Sequence, residues 1–194
     1  MKPALVLHCV MAAVCTLISP AALAAGKAGA HAHGAHEHGA VKMDVAVDKG
    51  RVMIELRTPL DSLLGFERAP RNDKERRAAA EVLAQLRGGA TLFVLDAAAQ
   101  CQSTKTEVMA GVIEPGPSKV GSGATAAAAT KDEHADLEAS YEFTCQQPQH
   151  LRMLNLGWFE AFPRTQRIDV QVAGPQGQSR ATLKRGTRIV KLVR

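Results

Sequence analysis

Four of the chain's seven histidines stand together in His31-Ala32-His33-Gly34-Ala35-His36-Glu37-His38-Gly39. Neutral imidazole is the commonest side-chain ligand for divalent metals near pH 7. Small Ala and Gly spacers let a backbone wrap so that several imidazoles face one ion. Glu37 adds a carboxylate. Zinc suits this set because it takes nitrogen and oxygen donors in a tetrahedron. Copper(II) and nickel(II) would also bind, copper more tightly by the usual affinity order. His31, His33, His36, His38 and Glu37 are therefore the candidate ligands. Such a strip has no rigid scaffold of its own, so ordering entropy limits its affinity. That fits a carrier better than a catalytic centre. Protons compete for imidazole, so acid weakens capture.

Other histidines are less telling. His134 lies in Lys131-Asp132-Glu133-His134-Ala135-Asp136, where acidic neighbours could assist a metal. Read alone, it is equally a solvated loop end. His150 sits beside Pro148 in a turn. No Gly-x-Ser-x-Gly elbow, H-E-x-x-H pair or phosphate-cradling glycine loop occurs, so no enzyme is expected.

The strip follows a segment that reads as a secretory signal. Lys2 starts it, Ala4 to Ile18 is apolar, Ser19-Pro20 breaks a helix, and Ala22-Leu23-Ala24 is a small-x-small cleavage pattern. The apolar run is shorter than the roughly 20 residues a membrane-spanning helix needs. Residues 1–24 are thus expected to be removed, leaving a periplasmic protein with no stable membrane anchor. Cleavage after Ala28 would instead expose Gly29-Ala30-His31, a square-planar site for copper(II) or nickel(II).

Export changes the meaning of the composition. Of four cysteines, Cys9 and Cys15 leave with the signal, and Cys101 and Cys145 remain. In an oxidising compartment they are expected to form one disulfide. The formal charge of +5, with pI about 9.2, loses Lys2 and no acid. Its remaining basic residues are scattered and aromatics do not interleave with them, so nucleic acid is not the expected partner.

The elements that must carry the strip follow from periodicity. Residues 25–40 hold Ala, Gly and His and cannot build a core, so they form a disordered leader. Residues 41–194 form a single α+β domain. Val41, Met43, Val45 and Val47 alternate with polar neighbours, as do Val52, Ile54 and Leu56, around Asp48-Lys49-Gly50. That is a β-hairpin. Leu60 to Phe66 makes a short helical turn. A helix over Asp73–Arg87 has Asn72 as its N-cap and Ala79, Val82, Leu83 and Leu86 as its apolar stripe. Gly88-Gly89 is expected to end it in a left-handed conformation.

Thr91 to Leu95 reads as a short strand or extended segment, and further strands are expected at Thr104 to Ile113, Leu137 to Cys145, Leu154 through Trp158, Ile168 to Val172, and around Ala181 and Leu183. Residues 114–130 hold prolines, glycines and an alanine run with no apolar face, and read as a flexible loop. The whole is a mainly antiparallel sheet with one helix after the first hairpin.

Several short stretches carry a resemblance: Gly65-Phe66-Glu67-Arg68-Ala69-Pro70, Ala90-Thr91-Leu92-Phe93, Tyr141-Glu142-Phe143-Thr144-Cys145, Phe159-Glu160-Ala161-Phe162-Pro163 and Ile168-Asp169-Val170-Gln171-Val172. With the signal and histidine-rich leader, the chain resembles a family of uncharacterised-domain proteins from Gram-negative bacteria. That family includes the zinc-regulated periplasmic zinc-binding protein ZrgA. The likeness runs from about His31 to Leu183. It implies a periplasmic protein that binds zinc through histidine-rich stretches and assists a zinc ABC importer or its solute-binding protein. The residues carried over are His31, His33, His36 and His38, together with His134. Where family members often have a second His-rich stretch, Glu114–Thr130 here contains no histidine. The basic pI is a second departure. A competing reading makes the chain an envelope protein-interaction module with incidental histidines.

Overall fold

The computed structural model describes residues 37–113 and 135–192. The first hairpin pairs β1 (Ala40–Asp48) with β2 (Arg51–Pro59), Asp48 facing Arg51. Its two-residue turn, Lys49-Gly50, has positive φ at both positions, the primed geometry that matches strand twist. Alternation does what it should. Val41, Met43, Val45, Val52, Ile54 and Leu56 are buried, while Lys42, Asp44, Glu55 and Arg57 face solvent.

The chain then forms a four-residue helix α1 (Asp61–Leu64) and the long helix α2 (Asp73–Arg87). Asn72 caps α2 by accepting from the Glu75 amide, and the expected stripe of Ala79, Val82, Leu83 and Leu86 is buried. Strands β3 (Phe93–Leu95), β4 (Cys101–Met109), β5 (Asp136–Cys145) and β6 (Met153–Leu156) follow. After the short helix α3 (Trp158–Ala161) come β7 (Arg167–Gly174), β8 (Gly177–Lys184) and β9 (Ile189–Lys191).

Six strands form one sheet in the order β4-β5-β2-β1-β7-β8. Every neighbouring pair is antiparallel except β1 with β7, which is parallel. A second, antiparallel sheet has the order β3-β6-β9. The architecture is α+β with mainly antiparallel sheets. One buried cluster joins the inner face of the larger sheet to the α2 stripe and to Phe93, Leu154, Leu156 and Val190 of the smaller sheet. Phe93 packs on Tyr141 at 4.6 Å between ring centroids, and Trp158 on Phe162 at 4.5 Å. The buried Tyr141 hydroxyl donates to the Leu86 carbonyl at 2.9 Å. This ties the sheet to the end of α2 and contributes about 1 kcal/mol. Burial pushes the phenol's ionisation well above its ordinary range.

Three local expectations are corrected. Gly88 ends α2 at φ −79°, not in the left-handed region. A 3-10 turn over Gly89–Thr91 continues the chain, and the glycine requirement falls on Gly89, where a Cβ would stand 2.6 Å from the Tyr141 ring. The strand expected at Thr104–Ile113 begins earlier, at Cys101, because the ladder extends back to the Cys145 partner. Gly111–Ile113 is a 3-10 turn closed by the Ile113 amide on the Ala110 carbonyl. Trp158 does not prolong β6. Gly157 lies close against the Thr91 carbonyl, the backbone turns there, and the Trp158 indole donates to the buried Thr165 hydroxyl. The disulfide joins Cys101 and Cys145 as expected.

Candidate metal centre

The last residues of the histidine strip enter the fold through a tightly bonded turn. The Gly39 amide donates to the hydroxyl of buried Ser62 at 2.9 Å. The Gly39 carbonyl accepts from the amides of Gln166 (2.7 Å) and Arg167 (3.1 Å), at the start of β7. The Ala40 amide donates to the Glu37 carbonyl, and the buried Thr58 hydroxyl donates to the Ala40 carbonyl. Gly39 has φ +76°, and a Cβ there would press on the Gln166 side chain at 3.0 Å. Only glycine accepts that conformation without strain.

His38 is thereby held over α1. Its Nε2 lies 3.3 Å from Glu67 Oε1, and its Nδ1 lies 3.5 Å from Asp61 Oδ2. The imidazole is 61% exposed, while Asp61 and Glu67 are 21% and 16% exposed. The acids thus form a partly buried floor and the imidazole a solvent-facing cover. Arg164 donates to the Asp61 carbonyl at 3.0 Å and stands 3.7 Å from its carboxylate. Glu67 follows Gly65, whose left-handed conformation ends α1. Beyond it, the Arg68 guanidinium sits over the Phe66 ring and forks onto both Glu75 oxygens at 2.7 and 3.1 Å. With the Arg71 amide, Arg68 pulls the Glu75 carboxyl down to about 2. This braces the loop that carries Glu67.

Glu37, a candidate ligand, has both oxygens engaged by Arg167, with Nη2 donating at 2.6 Å. Arg167 also donates to Asp169, and these carboxylates, Glu37 first, raise its guanidinium's affinity for its proton. His31, His33, His36 and His134 lie outside the described residues, as do residues 1–24, read as a secretory signal, most of 25–40, read as a leader, and 114–130, read as a loop. The carbonyl of Ala135, the residue after His134, accepts from the Leu60 amide, next to Asp61. Gly39 and Ala135 therefore lie at the same end of the larger sheet. His150 closes an exposed 3-10 turn elsewhere.

Asp61 and Glu67 were not among the residues singled out from spacing. They lie 23 and 29 residues from His38, and nothing local marks them as its neighbours. The one available signal for Glu67 was its place inside Gly65–Pro70, a stretch that carried the resemblance. Among the described residues, no group of three or more His, Cys, Asp or Glu is arranged to hold a metal ion.

The fold and this cluster define an α+β domain with imidazole and carboxylate donors gathered where its N-terminal segment enters. A model described as ZrgA family zinc uptake protein matches residues 35–192, and the chain belongs to that family. A role in zinc homeostasis, with a metal ion as partner, goes with that membership. No curated protein matches the chain. No helix among the described residues is long and apolar enough to cross a membrane.

Proposed function

We propose that this is a periplasmic zinc-binding accessory protein. Its histidine-rich leader captures Zn(II) and passes it toward a zinc ABC importer or its solute-binding protein. The observation that carries this reading is His38. The last histidine of the strip stands beside a backbone turn bonded into the folded domain, with its imidazole next to two carboxylates. The sheets give that place a rigid frame and offer a partner a surface to dock on. Ala135, the residue after His134, is hydrogen-bonded to the Leu60 amide at this same end of the larger sheet.

Zinc titration by calorimetry, on mature protein with and without residues 25–36, tests the reading. Glu37 to Ala40 stay because they are part of the fold. Loss of most zinc uptake in the shortened chain is expected. Equal uptake by both forms would end the leader's role.

A further inference from the structure

We propose that the folded domain itself supplies a two-donor zinc seat, His38 Nε2 with Glu67, and that Asp61 positions the imidazole from behind. This rests on the zinc-capture reading and assigns a part of it to residues outside the leader.

The first argument is a distance. Two donors held about 2.0–2.1 Å from a tetrahedral zinc stand about 3.3–3.4 Å apart. His38 Nε2 and Glu67 Oε1 are 3.3 Å apart. A zinc ion can therefore be received between them with little movement of either.

The second argument is the other ring nitrogen. Metal-bound histidine ordinarily gives its remaining N–H to a carboxylate or carbonyl, which fixes the ring and its tautomer. Asp61 Oδ2 faces Nδ1 at 3.5 Å. With zinc in place of a proton between Nε2 and Glu67, Asp61 is placed to take the Nδ1 proton and hold the ring.

The third argument is preorganisation. His38 is adjacent to a backbone that Ser62, Gln166, Arg167 and Thr58 hold by hydrogen bonds. Glu67 is on a loop braced by Gly65 and the Arg68–Glu75 fork. Ligands already in place lose less freedom on binding than ligands in a flexible strip. Glu37 is taken up by Arg167 and acts as a strut for the turn. The seat is half a coordination sphere. Its open positions are left to water on the exposed side of His38.

The test uses the full mature chain and zinc chloride, comparing wild type, Glu67→Gln, Asp61→Asn and a triple variant with His31, His33 and His36 changed to Ala. Loss of a carboxylate that supports a ligand typically costs roughly 10–100-fold in metal affinity, and loss of a ligand costs no less. Glu67→Gln is expected near the upper end and Asp61→Asn near about tenfold, although the leader histidines are intact in both. The triple variant should keep one weaker site, which Glu67→Gln then removes.

Wild-type titration by Glu67→Gln and Asp61→Asn would overturn the seat and leave the leader reading standing. The reverse pattern, with the triple variant like wild type and Glu67→Gln deficient, would keep the seat and sink the leader reading. Metal-free thermal midpoints check folding. NMR of the unmutated chain provides an independent measure. Zinc should shift His38 Nε2 and the Glu67 carboxylate carbon together, and an unmoved pair overturns the proposal.

Discussion

The two ends of the six-stranded sheet are built differently. At one end, the β1–β2 turn, the start of β4 and the finish of β5 are locked by covalent and backbone bonds. Cys101 is disulfide-bonded to Cys145, the Cys145 amide donates to the Gly50 carbonyl at 2.7 Å, and the Gln146 and Gln147 amides donate to the carbonyls of Gln100 and Ala99. At the other end, side chains do the joining. Ser62, Thr58, the Glu37–Arg167 fork and the Asp61–Arg164 contact hold the turn below His38. The first end has spent its sulfur atoms on the fold. The second keeps an imidazole and two carboxylates facing one another. Covalent closure and the cluster of imidazole and carboxylates thus lie at opposite ends of the same strands.

The largest effect should come from the closed end. Replacing both Cys101 and Cys145 with Ala opens a long loop and should cost up to about 4 kcal/mol. Denaturant unfolding measures this, and zinc affinity should be unchanged while the protein stays folded. A matching loss of zinc affinity would show that the two ends are coupled.

Ser62→Ala acts at the other end. It leaves the Gly39 amide without its buried acceptor, at about 1–2 kcal/mol. Here stability and zinc affinity should fall together, because the same turn carries His38. A stability loss with unchanged zinc binding would separate the turn from the metal.

The smallest effect concerns the brace behind Glu67. The Glu75 carboxyl is lowered from its ordinary 4.5 to about 2 in the folded chain. A depressed folded value contributes stability above the unfolded value and loses it as pH falls toward 2. Glu75→Gln should therefore lower stability modestly at pH 7 and flatten the acid limb between about 4.5 and 2. Unfolding curves across that interval check the sign. A wild-type acid limb in the variant would remove Glu75 from the brace.

The sequence by itself determined the local elements, because their signals are short in range. Period-two alternation marked β1, β2, β5 and β7, and the 3.6-residue stripe with Asn72 marked α2 to the residue. The histidine strip was legible for the same reason, its ligand types being adjacent. The Cys101–Cys145 bond was legible by counting, once the segment read as a secretory signal was set aside. Beyond the first hairpin, the pairing of strands was settled only in the tertiary structure. The parallel β1–β7 contact, the addition of β9 to the smaller sheet and the turn at Trp158 depend on residues distant in the chain. The tertiary structure also decided that His38 faces Asp61 and Glu67. Neither acid has a spacing that announces a ligand, since α1 and the loop after it bring them under His38 only when β1, β2 and β7 have assembled. Periodicity reports which face of an element is apolar. Which donors meet at a sheet's end is a property of the packed chain.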